Sequence, residues 1–209
     1  MDIATRLHEG CIKLDLNVSI EQEQQLLAYL ALLQKWNTAY NLTAIRDGAE
    51  MVVKHLLDSL SILPFVPENS RIIDVGTGAG LPGIVLAITR PDCQLTLLDS
   101  NGKKIRFLRQ VIADLKLVNA EVVQSRVEAF TGSFDIVTSR AFASLTDMVI
   151  GSTHLLHDKG LFLAMKGQEP AQEIAALPTG YAVKDMVSLH VPFLQEERHL
   201  LRLIKTEKR

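Results

Sequence analysis

The feature that most constrains this chain is the stretch Asp74-Val75-Gly76-Thr77-Gly78-Ala79-Gly80. It ends a β-rich run, Arg71-Ile72-Ile73-Asp74-Val75, and precedes an apolar segment, residues 81–88, that reads as a helix. Alternating glycines permit a sharp strand-to-helix turn and let a ligand approach the backbone without meeting a Cβ. The turn lies at the carboxyl end of its strand, where open α/β sheets bind ligands. Taken alone, the loop is weak evidence, since a tight connection with no ligand is the other reading, and its surroundings decide between the two.

The surroundings continue the alternation. Residues 94–99, 121–124, 134–138 and 160–165 read as further strands, with helices over 103–117 and around 145–156. Residues 182–191 and 199–205 form a last pair with a short connection. Regular alternation predicts a doubly wound parallel sheet, and the close last pair predicts an antiparallel addition at the C-terminal end. The first seventy residues instead read as helical. Ser19 with Gln22 forms a capping box, and Leu26, Leu27, Leu30, Leu33 and Trp36 recur at helical spacing. A polar break is expected at residues 37–41, a second helix opening at Asp47 with Glu50, and a stop at Pro64. The chain thus divides into a helical extension, 1–70, and a ligand-binding domain, 71–209.

Composition removes several function classes. With 47% hydrophobic and 22% charged residues the chain buries a substantial core, which excludes a disordered protein. Cys11 and Cys93 belong to no CxxC pattern and no histidine cluster, so a disulfide framework and a metal site lack support. The first residues show no apolar signal segment and no run reaches membrane-spanning length, which predicts a cytoplasmic protein without membrane contact. The net charge of −2 divides into −4 over residues 1–70 and +2 over 71–209, leaving room for a local basic patch without establishing one.

The ligand class follows from two carboxylates. Asp99 closes the next strand, where it is placed to accept hydrogen bonds from ribose hydroxyls; it is equally placed to cap the helix that follows. A dinucleotide would set its pyrophosphate on the helix N-terminus. Asp74, two residues before the first glycine, opposes a pyrophosphate and suits a cationic end such as the amino group of a methionine moiety. The closing strand pair also replaces a second mononucleotide-binding half. S-adenosylmethionine, and with it methyl transfer, is the better fit.

The pattern Asp-x-Gly-x-Gly-x-Gly with an acidic residue ending the next strand resembles the Rossmann-like S-adenosylmethionine methyltransferases. A narrower resemblance covers nearly the whole chain. It rests on Lys35-Trp36-Asn37, Tyr40-Asn41-Leu42-Thr43 and His55-Leu56-Leu57-Asp58-Ser59 in the N-terminal part, and on the loop from Asp74 to Gly83. Leu97-Leu98-Asp99-Ser100, Lys104 to Arg109, Ser125-Arg126-Val127-Glu128 and Ser139-Arg140-Ala141-Phe142-Ala143 complete it. These motifs are similar to those of the bacterial small-subunit ribosomal RNA guanine-N7 methyltransferases, also known as glucose-inhibited division protein B. The resemblance implies an α/β fold with a mostly parallel sheet, an antiparallel C-terminal strand and an N-terminal helical extension. It implies S-adenosylmethionine held by Gly76, Leu81, Val127, Glu128 and Arg140, with Asp99 and Ser100 near the ribose. It further implies N7 of a guanine in 16S ribosomal RNA (position 527) as the acceptor, on naked RNA or the small ribosomal subunit.

Guanine N7 offers a lone pair and carries no proton, so its methylation needs alignment rather than a general base. No catalytic acid, base or nucleophile is therefore expected, and His55, Asp58 and Ser59, neighbours on one helix, lack the convergent geometry of a triad. Phosphate contacts fall to Lys103, Lys104, Arg106 and Arg109 at one helix start, to Arg126 and to Lys166; each is equally a solvated surface cation. Arg140 suits a methionine carboxylate, an RNA phosphate or an ion pair. Arg198, Arg202, Lys205, Lys208 and Arg209 make the end of the chain basic. Trp36, Asn37, Asn41 and Thr43 are expected to lock the extension onto the sheet rather than to touch RNA. The chain is expected to act as a monomer.

Overall fold

The computed structural model describes residues 2–140, 142 and 144–206; Ala141 and Ala143 of the motif above, and Lys208 and Arg209 of the basic end, lie outside the described residues. Seven strands form one sheet: β1 (Arg71–Val75), β2 (Gln94–Asp99), β3 (Ala120–Gln124), β4 (Phe134–Ser139), β5 (Leu156–Lys166), β6 (Tyr181–Ser188) and β7 (His199–Lys205). Their order is β3-β2-β1-β4-β5-β7-β6. The first five are parallel, whereas β7 runs antiparallel to both β5 and β6. The expected antiparallel addition is therefore a hairpin whose second arm inserts beside β5.

Burial explains the sequence texture of each strand. Ile72 to Val75 of β1 and Leu95 to Asp99 of β2 are buried without interruption, as in a parallel strand covered on both faces. The edge strands β3 and β6 are only partly covered. Ile72, Leu95, Leu97, Ile136, Leu163 and Leu200 face one core, while Ile73, Val75, Leu98, Val137, Phe162 and Leu201 face the other.

The first face is covered by the N-terminal helices together with α5 (Gly83–Thr89) and α6 (Gly102–Leu115). That N-terminal set is α1 (Ile3–Lys13), α2 (Ile20–Tyr40), α3 (Gly48–Met51) and α4 (Asp58–Leu60). The second face is covered by α7 (Leu145–Ser152), with α8 (Ala171–Ala175) at its rim. Leu26, Leu30 and Leu33 of α2 share one continuous core with Val85, Leu97 and Phe107. Among the described residues no helix is long and apolar enough to cross a membrane.

Two N-terminal expectations are revised. The capping box of Ser19 and Gln22 is present, at 3.2 and 2.9 Å, but α2 runs through the expected polar break to Tyr40. Asn37 does not interrupt it, because its side chain bonds outside the helix: Oδ1 accepts from Thr43 N and Nδ2 donates to Ile45 O. Trp36 stacks on Tyr40 at 5.1 Å, and Asn41, with φ of 49°, ends the helix. The second helix begins as expected, with Asp47 Oδ1 accepting from Glu50 N at 2.8 Å, but Val52–Leu57 is wound as a π-helix. Pro64 lies inside a further 3-10 turn, Leu63–Phe65.

Candidate cofactor cleft and cationic cavity

The strand order reverses between β1 and β4, so the carboxyl ends of these two strands frame a crevice. Two cavities open at that edge. The first, about 260 Å³, lies over β1, β2 and β3; the second, about 340 Å³, lies over β4 and β5.

The glycine loop forms the inner wall of the first. Gly76 has φ of +66°, and no atom lies within 4 Å of where its Cβ would stand, so the space before it is open to a ligand. Asp74 is 1% exposed and does not face that space. Its Oδ2 accepts from Thr77 Oγ1 at 2.7 Å and Gly83 N at 2.9 Å, which closes the loop from within. Burial lifts its carboxyl to about pH 6, against those two hydrogen bonds. The reading of Asp74 as a partner for a cationic ligand is thus corrected: this carboxylate serves the turn. Gly83 must lack a side chain for the same reason, since a Cβ there would collide with Leu97 and Asp74.

Asp99, at the end of β2, does not itself cap the helix that follows; its carboxylate ties the loops around the cleft together. Oδ1 accepts from Asn101 N at 2.8 Å, and Oδ2 accepts from Gly78 N at 3.0 Å and Lys104 Nζ at 3.3 Å. The helix cap itself is Asn101, whose side chain accepts from Lys103 N. A carboxylate has about four acceptor positions, so Asp99 keeps room for one further donor, and a second requires Lys104 to swing away.

The outer wall comes from the turn after β3. Ser125 to Glu128 line the cleft, with Val127–Ala129 in a 3-10 turn, and Phe142 closes it from beyond β4. Gly76, Asp99, Ser100, Val127 and Glu128 are thereby brought together, joined by Arg126 from the expected phosphate contacts. Leu81 and Arg140 are not part of this lining. The Leu81 side chain is 4% exposed and packs in the first core, leaving its backbone to the loop, where its N–H donates to Thr77 O.

Arg140 enters the second cavity. Its Nη1 donates to Lys54 O at 2.9 Å and to Asp58 Oδ2 at 3.2 Å. Arg198, from just before β7, donates to the other oxygen, Asp58 Oδ1, at 3.2 Å. One buried carboxylate thus lies between two guanidiniums; burial pushes its pKa up, opposed by both arginines. Lys54 and Lys166 complete the ring of cations. Lys54 pairs with Glu50 and Glu196 at 3.1 and 2.9 Å, and Lys166 pairs with Glu173 at 2.8 Å. The floor includes Ile45, Met165 and His55. His55 Nε2 meets Thr43 Oγ1 at 2.9 Å, and burial with the nearby Arg140 charge drives its pKa down to about 4. The imidazole is neutral at pH 7.

Lys54, Asp58 and Arg198 were not anticipated as neighbours at a site. The π-helix carries Lys54 and His55 and delivers Asp58 next, and no sequence pattern announces that winding. Lys103, Arg106 and Arg109 are exposed outside both cavities and Arg126 is exposed in the wall of the first, and none of the four forms an ion pair among the described residues. Lys104 alone of that helix start turns inward, to Asp99.

Residues 22–201 match the family profile described as rRNA small subunit methyltransferase G. The chain belongs to this family. It is 58% identical over 184 residues to ribosomal RNA small subunit methyltransferase G of Cronobacter sakazakii, covering 87% of this chain and 88% of that one. It is 55% identical over 195 residues to the Escherichia coli protein of the same name, covering 92% and 93%. Among solved structures, a TehB-like SAM-dependent methyltransferase from Corynebacterium glutamicum shares the fold, with a TM-score of 0.57 and 15% identity over 86% of this chain and 99% of that one. The family assignment accounts for the sheet, the glycine loop and the N-terminal motifs together.

Proposed function

We propose that this chain transfers the methyl group of S-adenosylmethionine to N7 of a guanine in 16S ribosomal RNA, the guanine at position 527. The observation that carries the reading is the pair of cavities: an open cleft at the glycine loop beside a cation-lined cavity, on opposite sides of the β1/β4 reversal.

In this reading Gly76, Ser100, Val127 and Glu128 hold the cofactor, with Asp99 on the ribose and the Leu81 backbone fixing the loop. The bound cofactor supplies an electrophilic methyl on a sulfonium. Arg140 reaches toward the methionine carboxylate from the boundary between the cavities. The acceptor nucleotide enters the second cavity, where Lys54, Lys166 and Arg198 face its phosphates and the Ile45 and Met165 side chains face its base. Lys103, Arg106, Arg109 and Arg126 hold flanking RNA by charge. Residues 1–70 then act as the helical part that walls the acceptor side, and 71–209 as the cofactor domain, in a cytoplasmic monomer.

No proton leaves guanine N7 during the attack, so the chain needs to align N7, methyl carbon and sulfur and to keep water out. Neutral His55 suits this role of lining rather than proton transfer. The test is methylation of small ribosomal subunits lacking this modification, with labelled S-adenosylmethionine and identification of the labelled nucleoside. Label in 7-methylguanosine at position 527 is expected. Label elsewhere, or cofactor binding with no RNA product, would overturn the acceptor assignment.

A further inference from the structure

α2 grips the cofactor domain along one face. Gln22, Gln25 and Tyr29 stand on that face at helical spacing. Gln22 Nε2 donates to Ile88 O near the end of α5 at 3.1 Å, and Gln25 Nε2 donates to Leu115 O at the end of α6 at 3.3 Å. These are carbonyls that a helix end leaves without an intrahelical partner. Tyr29 does something different. Its ring is fully buried, 6.4 Å from Phe107, and its hydroxyl donates to Ala79 O, in the glycine loop, at 2.7 Å.

The other loop contacts arise inside the cofactor domain. Thr77 N bonds to Leu98 O, Gly78 N to Asp99, Gly80 N and Leu81 N to Thr77 O, and Gly83 N to Asp74. The Ala79 carbonyl is where a residue of the N-terminal part enters this network. Burial raises the Tyr29 pKa, so the phenol stays protonated and remains a donor at every working pH.

We propose that Tyr29 is a positioning residue for the cofactor: its hydroxyl fixes the Ala79 peptide and thereby the loop conformation that S-adenosylmethionine meets. The inference rests on the assignment of the first cleft to that cofactor. A buried carbonyl deprived of its partner is destabilising, and a loop can recover part of that loss by turning the peptide.

The test is Tyr29→Phe, which keeps the ring and removes the donor, with Gln22→Ala as a comparison that loosens α2 away from the loop. Calorimetric titration with S-adenosylmethionine, well below the unfolding temperature, is expected to show about tenfold weaker binding for Tyr29→Phe, equivalent to about 1.4 kcal/mol. Gln22→Ala is expected to bind as the native protein does, though melting earlier. In turnover, KM for the cofactor rises in Tyr29→Phe while kcat at saturation and affinity for the ribosomal subunit hold. Native-like cofactor affinity in folded Tyr29→Phe would overturn the proposal and leave Tyr29 a purely structural residue.

A second measurement needs no variant. In protein carrying 13C at the tyrosine ζ carbon, the Tyr29 resonance is expected to shift on cofactor addition, while that of Tyr181, packed on the other sheet face, stays. An unmoved Tyr29 resonance with cofactor bound would also overturn it. Failure of the native protein to bind the cofactor at all would instead remove the assignment of the cleft.

Discussion

Asp99 receives the backbone amide of Gly78 at 3.0 Å, so the carboxylate that faces the cleft also anchors the loop across it. Its second oxygen accepts from Asn101 N at 2.8 Å. In Asp99→Asn one side of the carboxamide becomes a donor and must face one of these two N–H groups, while the attraction for Lys104 is lost. Hydrogen bonds to a charged group contribute about 1.5–3 kcal/mol. Calorimetry is expected to show S-adenosylmethionine affinity reduced at least about tenfold. An unchanged affinity would separate Asp99 from the ligand.

Gly83 and Gly151 make a contrasting pair. Gly83→Ala drives a Cβ into Leu97 and the Asp74 carboxylate at the start of α5, whereas Gly151→Ala meets only Val127 Cγ1 at 3.9 Å. Overpacking costs about 1–3 kcal/mol, or several degrees of melting temperature in a domain of this size. Thermal melts are expected to show that loss for Gly83→Ala, with Gly151→Ala within about 1 kcal/mol of the native protein. Equal melting of the two would mean the loop does not pack as described.

Arg106 and Arg109 are exposed and make no ion pair among the described residues, so they carry charge without carrying the fold. Arg106→Glu with Arg109→Glu is expected to leave the melting temperature nearly unchanged and to weaken binding to ribosomal RNA. The logarithmic salt dependence of that binding should also become shallower, by about one unit for each lost phosphate contact. A native salt dependence would place the RNA elsewhere.

His55 and Asp74 oppose each other in acid. The His55 pKa falls from 6.5 to about 4 in the fold, so its contribution is complete above pH 6.5 and is lost as pH drops toward 4. Asp74 rises from 3.8 to about 6, so its contribution runs the other way: the fold gains as pH drops through 6 toward 4. Each amounts to about 3 kcal/mol at most. Urea unfolding at pH 6.5 and pH 4 should therefore show Asp74→Asn losing more stability on acidification than the native protein, and His55→Gln losing less. The reverse order would contradict the burial of one or both groups.

The sheet was legible because each parallel strand carries its burial in its own residues. Ile72-Ile73-Asp74-Val75 is covered on both faces and reads as a continuous β run ending in glycine. The first cleft was legible for the same local reason: apart from Phe142, its lining comes from short segments at the carboxyl ends of β1, β2 and β3. Asp74 shows the limit of that reasoning. Its position next to the glycines suggested a ligand contact, but only the three-dimensional turn reveals that Gly83 and Thr77 take up its Oδ2.

The second cavity was hidden for a different reason. Asp58 and Arg198 are 140 positions apart, and the arginine looked like one cation of a basic chain end. Their meeting depends on the π winding of Val52–Leu57 and on the path of the chain before β7. The helix α1 also went unresolved within the helical first seventy residues. It buries little, mainly Leu7, Gly10 and Cys11, and Gly10 is small because Leu57 occupies the place of a side chain.

The place of β7 has a consequence for synthesis. Among the described residues it is the last strand in chain order, yet it lies between β5 and β6. As the chain leaves the ribosome, β5 waits with an open edge and β6 has no neighbour, since both pair with the strand still to come. Unpaired strand edges invite association with other chains. A nascent chain halted shortly before residue 199 would therefore present the β5 edge and an unpaired β6 to other chains.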